Sequence, residues 1–351
     1  MKTLYALVLA TLLAVAVAPV AQADQAIAKS DNVKHVKQIP FERGTELAKS
    51  GRFLYAASND DRGAHPGNGG LHIIDTKTLK EVGYLHCPGS DNDIEVVRPG
   101  LVVMSFTSNI CAPVGEGLML IDVKNAKKPR VISSLNTGHG HTIKPVPGTS
   151  LIYMAKGDYV PNANYGPAVV DVANPAKPKI VAQPKTLTID CHDISFSMVE
   201  EDRQLGFCAG ALNGTGEVQI WDVSDPLNPV TIGRIVNPAI QYSHYAVANH
   251  DGTLLAIDDE AFALHDCNTG QSPTGRVWLY DITNPQTPLL TGSYAPPRGG
   301  DPAQGNIGWY GAAGYGWLES WCLSHGLDWH PNTNNLAVTW FTGGVSVIDV
   351  T

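Results

Sequence analysis

Four histidines occupy matching places along the chain, each at or just before a run of strand-forming residues. They are His141 (Gly-His-Thr-Ile), His192 (Cys-His-Asp-Ile), His244 (Ser-His-Tyr-Ala) and His325 (Ser-His-Gly-Leu). Imidazoles that converge in a partly dry cavity suit a transition metal such as Cu, Fe or Zn. Four ligands close a structural site, whereas three ligands and a water leave a reactive position. The spacing therefore predicts a metal site.

Three carboxylates fall in the same register as the histidines. We expect Glu46, Asp93 and Asp193 to accept hydrogen bonds from the imidazoles and fix their tautomers. The alternative is a structural ladder, in which each histidine bonds only a neighbouring backbone. A ladder should run round every repeat, but Thr45 and Asn92 replace histidine in the first two. This pattern favours a shared ligand role.

A long aromatic connection precedes His325. Residues 295–322 carry few strand signals and many glycines, and long structureless loops in compact domains are usually functional. We predict that this segment covers the histidine end as a lid; the alternative is a loop packed on neighbouring repeats or a subunit interface. The lid residues are Trp309, Tyr310, Trp317 and Trp321.

Acidic side chains occur in other long loops of the same face. Carboxylates are the ligands that Ca²⁺ prefers, so a Ca²⁺ site is a second possibility, although no spacing is diagnostic. These residues are Asp60, Asp61, Asp158, Asp258, Asp259 and Glu260.

The elements that position these residues come from a repeated phrase. Its clearest copy spans residues 220–229, Ile-Trp-Asp-Val-Ser-Asp-Pro-Leu-Asn-Pro, and the aspartates of its six copies lie 47 to 68 residues apart. That period suits a four-stranded propeller blade. The Asp, Asn and Pro residues predict a turn after a strand. The aspartates are Asp75, Asp122, Asp171, Asp222, Asp281 and Asp349.

The repeat predicts an all-β fold, a single six-bladed β-propeller. The sequence stops after the third strand of the last repeat, and residues 33–39 resemble an outer strand. We therefore expect an N-terminal strand to complete the last blade and protect its edge. The predicted blades are roughly 44–86, 91–136, 140–184, 191–236, 243–294, and 324–351 together with 33–39.

The N-terminus and the charge predict the compartment and limit the partners. Residues 1–23 read as a signal peptide, with Lys2, an apolar stretch and an Ala21-Gln22-Ala23 cleavage site, and residues 24–351 form the propeller. We expect an exported protein, periplasmic or secreted, with no membrane span in the mature chain. The net charge of −9 disfavours nucleic acid and anionic membranes. A small molecule or an envelope protein is the expected partner.

Six cysteines in an exported chain predict disulfide bonds. Two pairs flank the first hairpin of a repeat symmetrically, and the third pair remains in long insertions. The alternative is that Cys191 or Cys322 is a free thiolate ligand. The predicted pairs are Cys87–Cys111, Cys191–Cys208 and Cys267–Cys322.

The phrase Ile-x-Asp-Val-Ser-Asp-Pro-x-x-Pro at 220–229, together with Cys191-His192-Asp193-Ile194, resembles the LVIVD-repeat family of exported bacterial β-propellers. The resemblance covers nearly all of the mature chain and is weakest in the first blade. It implies a propeller and export, and it implies no particular activity. A looser similarity to selenium-binding proteins and methanethiol oxidases, propellers with copper-linked sulfur chemistry, is one of fold only.

Two functions follow from the sequence. In the first, the propeller binds a transition metal through the four histidines and acts as an oxidoreductase or hydrolase on a small molecule. In the second, it is a non-catalytic scaffold of the cell envelope that presents its loops to a protein or glycan.

Overall fold

The structure is a computed structural model, and the described residues contain only β-strands as regular elements. The chain divides into two units, Met1–Ile39 and Pro40–Thr351. The described residues are 34, 36–37, 39, 44–59, 69–112, 114–138, 140–155, 166–184, 191–200, 203–210, 216–240, 242–260, 275–294, 324–340 and 344–351.

The strands of the larger unit form six antiparallel sheets, so the predicted six-bladed β-propeller is confirmed. Within each sheet the strands follow one another in chain order. Blade 1 has β1 (Gly44–Ser50), β2 (Phe53–Ser58), β3 (Gly70–Asp75) and β4 (Lys80–His86). Blade 2 has β5 (Gly89–Arg98), β6 (Leu101–Asn109), β7 (Gly117–Asp122) and β8 (Arg130–Asn136). Blade 3 has β9 (Ile143–Pro145), β10 (Leu151–Met154), β11 (Ala168–Asp171) and β12 (Lys179–Ala182).

The second half of the ring repeats the arrangement. Blade 4 has β13 (Asp193–Glu200), β14 (Arg203–Gly210), β15 (Glu217–Asp222) and β16 (Val230–Val236). Blade 5 has β17 (Ser243–Ala248), β18 (Leu254–Asp259), β19 (Val277–Asp281) and β20 (Leu289–Tyr294). Blade 6 has three strands among the described residues, β21 (Ser324–Trp329), β22 (Asn335–Trp340) and β23 (Gly344–Asp349).

The strand that should close the ring is not confirmed. Lys34, Val36, Lys37 and Ile39 are described and lie in no strand. On β23, Val345 and Val347 are 67% and 65% exposed, an apolar edge of the kind that natural sheets usually cover. Closure by residues 33–39 stays a prediction.

The repeated aspartates are turn residues, as the phrase predicts. In blades 1 to 5 each accepts a hydrogen bond from the backbone N–H two residues on, at 2.8–3.1 Å. A β-bulge lies one or two residues before each of these aspartates. The bulge and the side-chain cap together set the turn that leads to the outermost strand. The phrase therefore builds the scaffold.

The core lies between the blades. Each of five apolar clusters joins two successive blades, for example Ile73 of blade 1 with Ile94 and Phe106 of blade 2, all fully buried. Innermost strands of successive blades are also in contact, from β1 and β5 through β9, β13 and β17 to β21. This packing fixes the innermost strands side by side around the axis, where their polar residues meet.

Two of the predicted disulfides are present. Cys87 bonds Cys111, and Cys191 bonds Cys208, with Cα atoms 5.4 Å and 5.1 Å apart. Cys191 is therefore not a thiolate ligand. The third predicted pair, Cys267 and Cys322, lies outside the described residues. Within the described part of the chain no helix is long and apolar enough to cross a membrane.

Candidate metal centre

The four histidines stand on neighbouring blades at the same end of the innermost strands. His244 and His325 lie in β17 and β21, His192 directly precedes β13, and His141 lies two residues before β9. Hydroxyl groups hold the backbone at two of them: Ser105 Oγ donates to the His141 carbonyl and Thr142 Oγ1 to the His192 carbonyl at 2.9 Å. The positions of these imidazoles thus follow from the blade register.

The imidazole rings form a continuous arc across blades 3 to 6. Ring centroids are 4.4 Å apart for His141 and His192, 4.5 Å for His192 and His244, and 4.3 Å for His244 and His325. His192 and His244 are buried, and the His325 side chain is the most open of the three at 43% exposed. The structure therefore brings all four predicted ligands together.

The hydrogen bonds indicate which nitrogen of His192 is available. Its Nδ1 lies 3.3 Å from the His244 carbonyl oxygen, which accepts but cannot donate, so Nδ1 carries the proton. Its Nε2 then carries the lone pair and lies 2.8 Å from Nε2 of His141, which donates to it. Either of these two nitrogens could bind a metal ion only after this hydrogen bond is broken.

Glu260 is a further candidate ligand that the histidine pattern did not reveal. Its Oε2 lies 3.6 Å from His244 Nε2, and its Oε1 lies 3.7 Å from His325 Nε2. One donor atom each from His192, His244 and Glu260 fall within 4.8 Å of one another. Donor atoms of a tetrahedral site with bonds of 2.0–2.1 Å are about 3.3 Å apart, close to the two separations between Glu260 and the histidines.

Asp258 lies behind His244. It is fully buried, and one oxygen accepts from the Tyr245 backbone N–H. The other oxygen, Oδ2, lies 3.6 Å from His244 Nδ1, and neither atom has a hydrogen-bond partner. A small closure of this gap would give the carboxylate–histidine pair that orients metal ligands in proteins.

The electrostatics keep the imidazoles neutral. Burial, with a smaller contribution from His244, lowers the pKa of His141 to about 4, and burial lowers the pKa of His244 to about 3. Burial also lowers the pKa of His192, and partial desolvation together with His244 lowers the pKa of His325, although part of its side chain is exposed. Neutral imidazole is the form that binds a metal, so the cluster presents lone pairs at physiological pH. The same burial raises the pKa of Asp258 to about 7.

The three carboxylates expected to support the histidines lie elsewhere. Glu46, Asp93 and Asp193 accept hydrogen bonds from the backbone N–H groups of Leu47, Ile143 and Ile194, and the structure does not bring them onto an imidazole nitrogen. They interact electrostatically with Lys144 instead. We call this set the carboxylate–lysine cluster; its members are Lys144, Glu46, Asp93, Glu95, Asp193 and Asp328.

The pairing of β17 with β18 in blade 5 brings Glu260 and Asp258 beside His244, whereas the sequence pattern suggests only a Ca²⁺ site for them. Both come at the end of β18, which runs antiparallel to β17, so Ser243 pairs with Asp259. The Glu260 N–H donates to the Tyr242 carbonyl at 3.0 Å, which places Glu260 beside the start of β17 and His244. A hairpin alignment of β17 with β18 would have predicted this. The other proposed Ca²⁺ ligands (Asp60, Asp61, Asp158) and the lid residues (Trp309, Tyr310, Trp317, Trp321) lie outside the described residues.

The fold and this cluster define a class: a β-propeller with polar groups gathered on its innermost strands. Neither the protein-family models nor the curated proteins contain a match to this chain. The resemblance to LVIVD-repeat propellers therefore stays an expectation.

Solved structures do match, at low identity. The chain is similar to the Cps50 (Swd1) β-propeller domain of Myceliophteria thermophila, with 12% identity, a TM-score of 0.57, and coverage of 88% of this chain and 84% of that one. Saccharomyces cerevisiae Sqt1 gives 9% identity and a TM-score of 0.53, with coverage of 88% and 73%. A hypothetical selenium-binding protein of Sulfolobus tokodaii gives 13% identity and a TM-score of 0.50, with coverage of 71% and 64%. At these identities the likeness shows the fold alone.

Proposed function

We propose that this protein is a transition-metal-binding β-propeller in which His141, His192, His244, His325 and Glu260 supply the ligands. One observation carries the proposal: four neutral imidazoles form an arc, and Glu260 lies beside the last two of them, His244 and His325. Four nitrogen donors and one carboxylate oxygen match the preferences of Cu, Fe and Zn. His244 is oriented by Asp258 in this proposal.

The ligand geometry favours a reactive site over a closed one. If only three of these candidate groups bind the ion, as the 4.8 Å grouping of donor atoms from His192, His244 and Glu260 favours, one position of a tetrahedral ion stays open. A small molecule or a water would take that position and become polarised there. We infer metal-dependent oxidation or hydrolysis of a small molecule as the activity of the site.

The two disulfide bonds support the proposal that the protein works in an oxidising compartment. Cys87–Cys111 and Cys191–Cys208 are the kind of bond that persists outside the reducing cytosol. Together with the predicted signal peptide at 1–23 they support the proposal that the protein is exported, to the periplasm or the medium.

Metal analysis of protein purified without a histidine tag tests the proposal. We expect about one equivalent of bound Cu, Fe or Zn, and saturable rebinding after chelation. His192→Ala should weaken rebinding by at least about 100-fold, because loss of mere supporting groups already costs 10–100-fold. The matched control is His250→Ala, the same change at an exposed histidine in a hairpin turn. Metal affinity that is equal in the two variants, or a protein that binds none of these ions, would contradict the proposal and favour the scaffold function.

A further inference from the structure

A second polar site lies at the other end of the innermost strands. A cavity of about 380 Å³ is bounded there by β9, the turn that follows it, and its neighbours in blades 2, 4 and 5. Its polar wall includes Glu95, Lys144 and Tyr245, and its apolar wall includes Phe196 and Val247. The volume is that of a small-molecule pocket and more than ten times that of one water, about 30 Å³.

One ammonium group already occupies the polar wall. Lys144 forms an ion pair with Glu95, and its Nζ lies 5.5 Å from the centre of the Tyr245 ring. Burial opposes the charge of Lys144, but Glu95, Tyr245 and nearby aspartates hold the pKa of Lys144 well above its ordinary value. The wall is therefore a place where the protein stabilises a partly buried ammonium.

The carboxylates outnumber this cation by five to one. Glu46, Asp93, Asp193 and Asp328 lie within electrostatic range of Lys144, in addition to Glu95. Asp93 shows that the balance is incomplete. It is 6% exposed, its Oδ2 accepts from the Ile143 N–H at 2.8 Å, and its Oδ1 is buried without a hydrogen-bond partner. A buried carboxyl oxygen left in this state is costly, and a positive charge nearby would reduce that cost by stabilising the ionised form.

We propose that this cavity binds a small organic ammonium ion, with its head group beside Glu95 and its hydrocarbon part against Phe196 and Val247. Negative charge selects a cation, and the aromatic rings suit an ammonium. The apolar wall and the volume favour an organic cation over a bare metal ion, which would leave most of the space unfilled. This site is separate from the histidine cluster and does not depend on it.

Binding should also release a proton. Burial raises the pKa of Asp93 to about 8, with Lys144 lowering it and Glu95 and Glu46 raising it, so at pH 7 Asp93 holds a proton. A bound ammonium favours the ionised carboxylate, which then gives that proton to the solvent.

Calorimetric titration with straight-chain primary amines, from propylamine to hexylamine, tests the proposal. The corresponding alcohols serve as uncharged controls. We expect saturable amine binding, at least tenfold weaker binding of the alcohols, and an acidification that a pH-indicator dye detects in weakly buffered solution. Equal affinity for amine and alcohol would overturn the proposal, as would saturable binding of Ca²⁺ or Mg²⁺ with no competition from the amines.

Two variants place the binding in this cavity. Glu95→Gln should weaken amine binding at least tenfold, whereas Glu116→Gln, the same change at an exposed glutamate, should leave it unchanged. Val247→Phe fills the cavity without changing its charge and should also abolish amine binding. This variant tests the location even if Glu95→Gln impairs folding. Unchanged amine binding in a folded Val247→Phe variant would refute the location.

Discussion

The histidine cluster and the carboxylate–lysine cluster lie on the same innermost strands but differ in whether they contain a cationic side chain. At one end, four imidazoles and Glu260 gather, and none of the described residues adds a lysine or arginine to them. Three residues further along blade 3 from His141, Lys144 lies among five carboxylates. The first cluster offers lone pairs that an external cation could bind, and the second contains a cation of its own.

The difference shows how burial acts on opposite kinds of group. Desolvation disfavours charge, so it lowers the pKa of the histidines and raises the pKa of Asp93. Neutral imidazoles still have lone pairs for a metal. A neutral carboxylic acid becomes a metal ligand only after it loses a proton. We therefore expect pH and added ammonium ions, rather than transition metals, to change the charge state of the carboxylate–lysine cluster.

The largest effect should come from removing the internal cation. Lys144→Met deletes the ammonium and leaves Glu95 and its neighbours without a counter-charge. The Lys144–Glu95 pair is partly buried, so its loss should cost less than that of a fully buried pair; we expect a loss of stability of about 2–3 kcal/mol in urea unfolding. The loss should be larger at pH 8 than at pH 5, because the carboxylates take up protons at the lower pH.

The comparison for this variant is Lys49→Met, which changes an exposed lysine on the innermost strand of blade 1. Lys49→Met should alter stability by no more than about 0.5 kcal/mol. Equal stability of the two variants would mean that Lys144 does not neutralise the cluster.

The sequence predicted one of these clusters well and the other poorly. The histidines stand out because residue type and repeat register agree at four positions, and register alone places them on adjacent strands. Lys144 has no such signature: a single lysine in a strand is ordinarily a solvated residue. Its environment arises only when side chains from the other blades converge on it. Glu46, Asp93 and Asp193 each follow the histidine register by one residue. Because successive side chains of a strand point to opposite faces, they lie near Lys144 and not on an imidazole nitrogen.

A smaller effect should distinguish the clusters by pH. The folded pKa of Asp93, about 8, is above its unfolded value, so its contribution to stability is complete at acid pH and is lost as pH rises from about 4 to about 8. We expect Asp93→Asn to remove most of this pH-dependent loss of stability, measured by urea unfolding of metal-free protein. Asparagine keeps the oxygen that accepts from Ile143, so the fold is retained. The control Asp349→Asn, at an exposed aspartate on β23, should leave the pH dependence of stability unchanged. If stability changes with pH equally in the unmodified protein and in both variants, Asp93 ionises as it does in water.

The smallest predicted change concerns the carboxylate behind the histidines. Asp258→Asn keeps the oxygen that accepts from the Tyr245 N–H but places an NH₂ group where Oδ2 faces His244 Nδ1. If Nε2 of His244 binds the metal, its Nδ1 carries the proton; the two donors then oppose each other, and His244 loses the partner that would orient it. We expect metal affinity to fall 10–100-fold, measured by competition with a chelator, while amine binding at the other end stays unchanged. If Asp258→Asn weakens both ligands equally, the two clusters are coupled through blade 5. If it weakens neither, His244 needs no support from Asp258, and the metal ligands are fixed by the register of the blades alone.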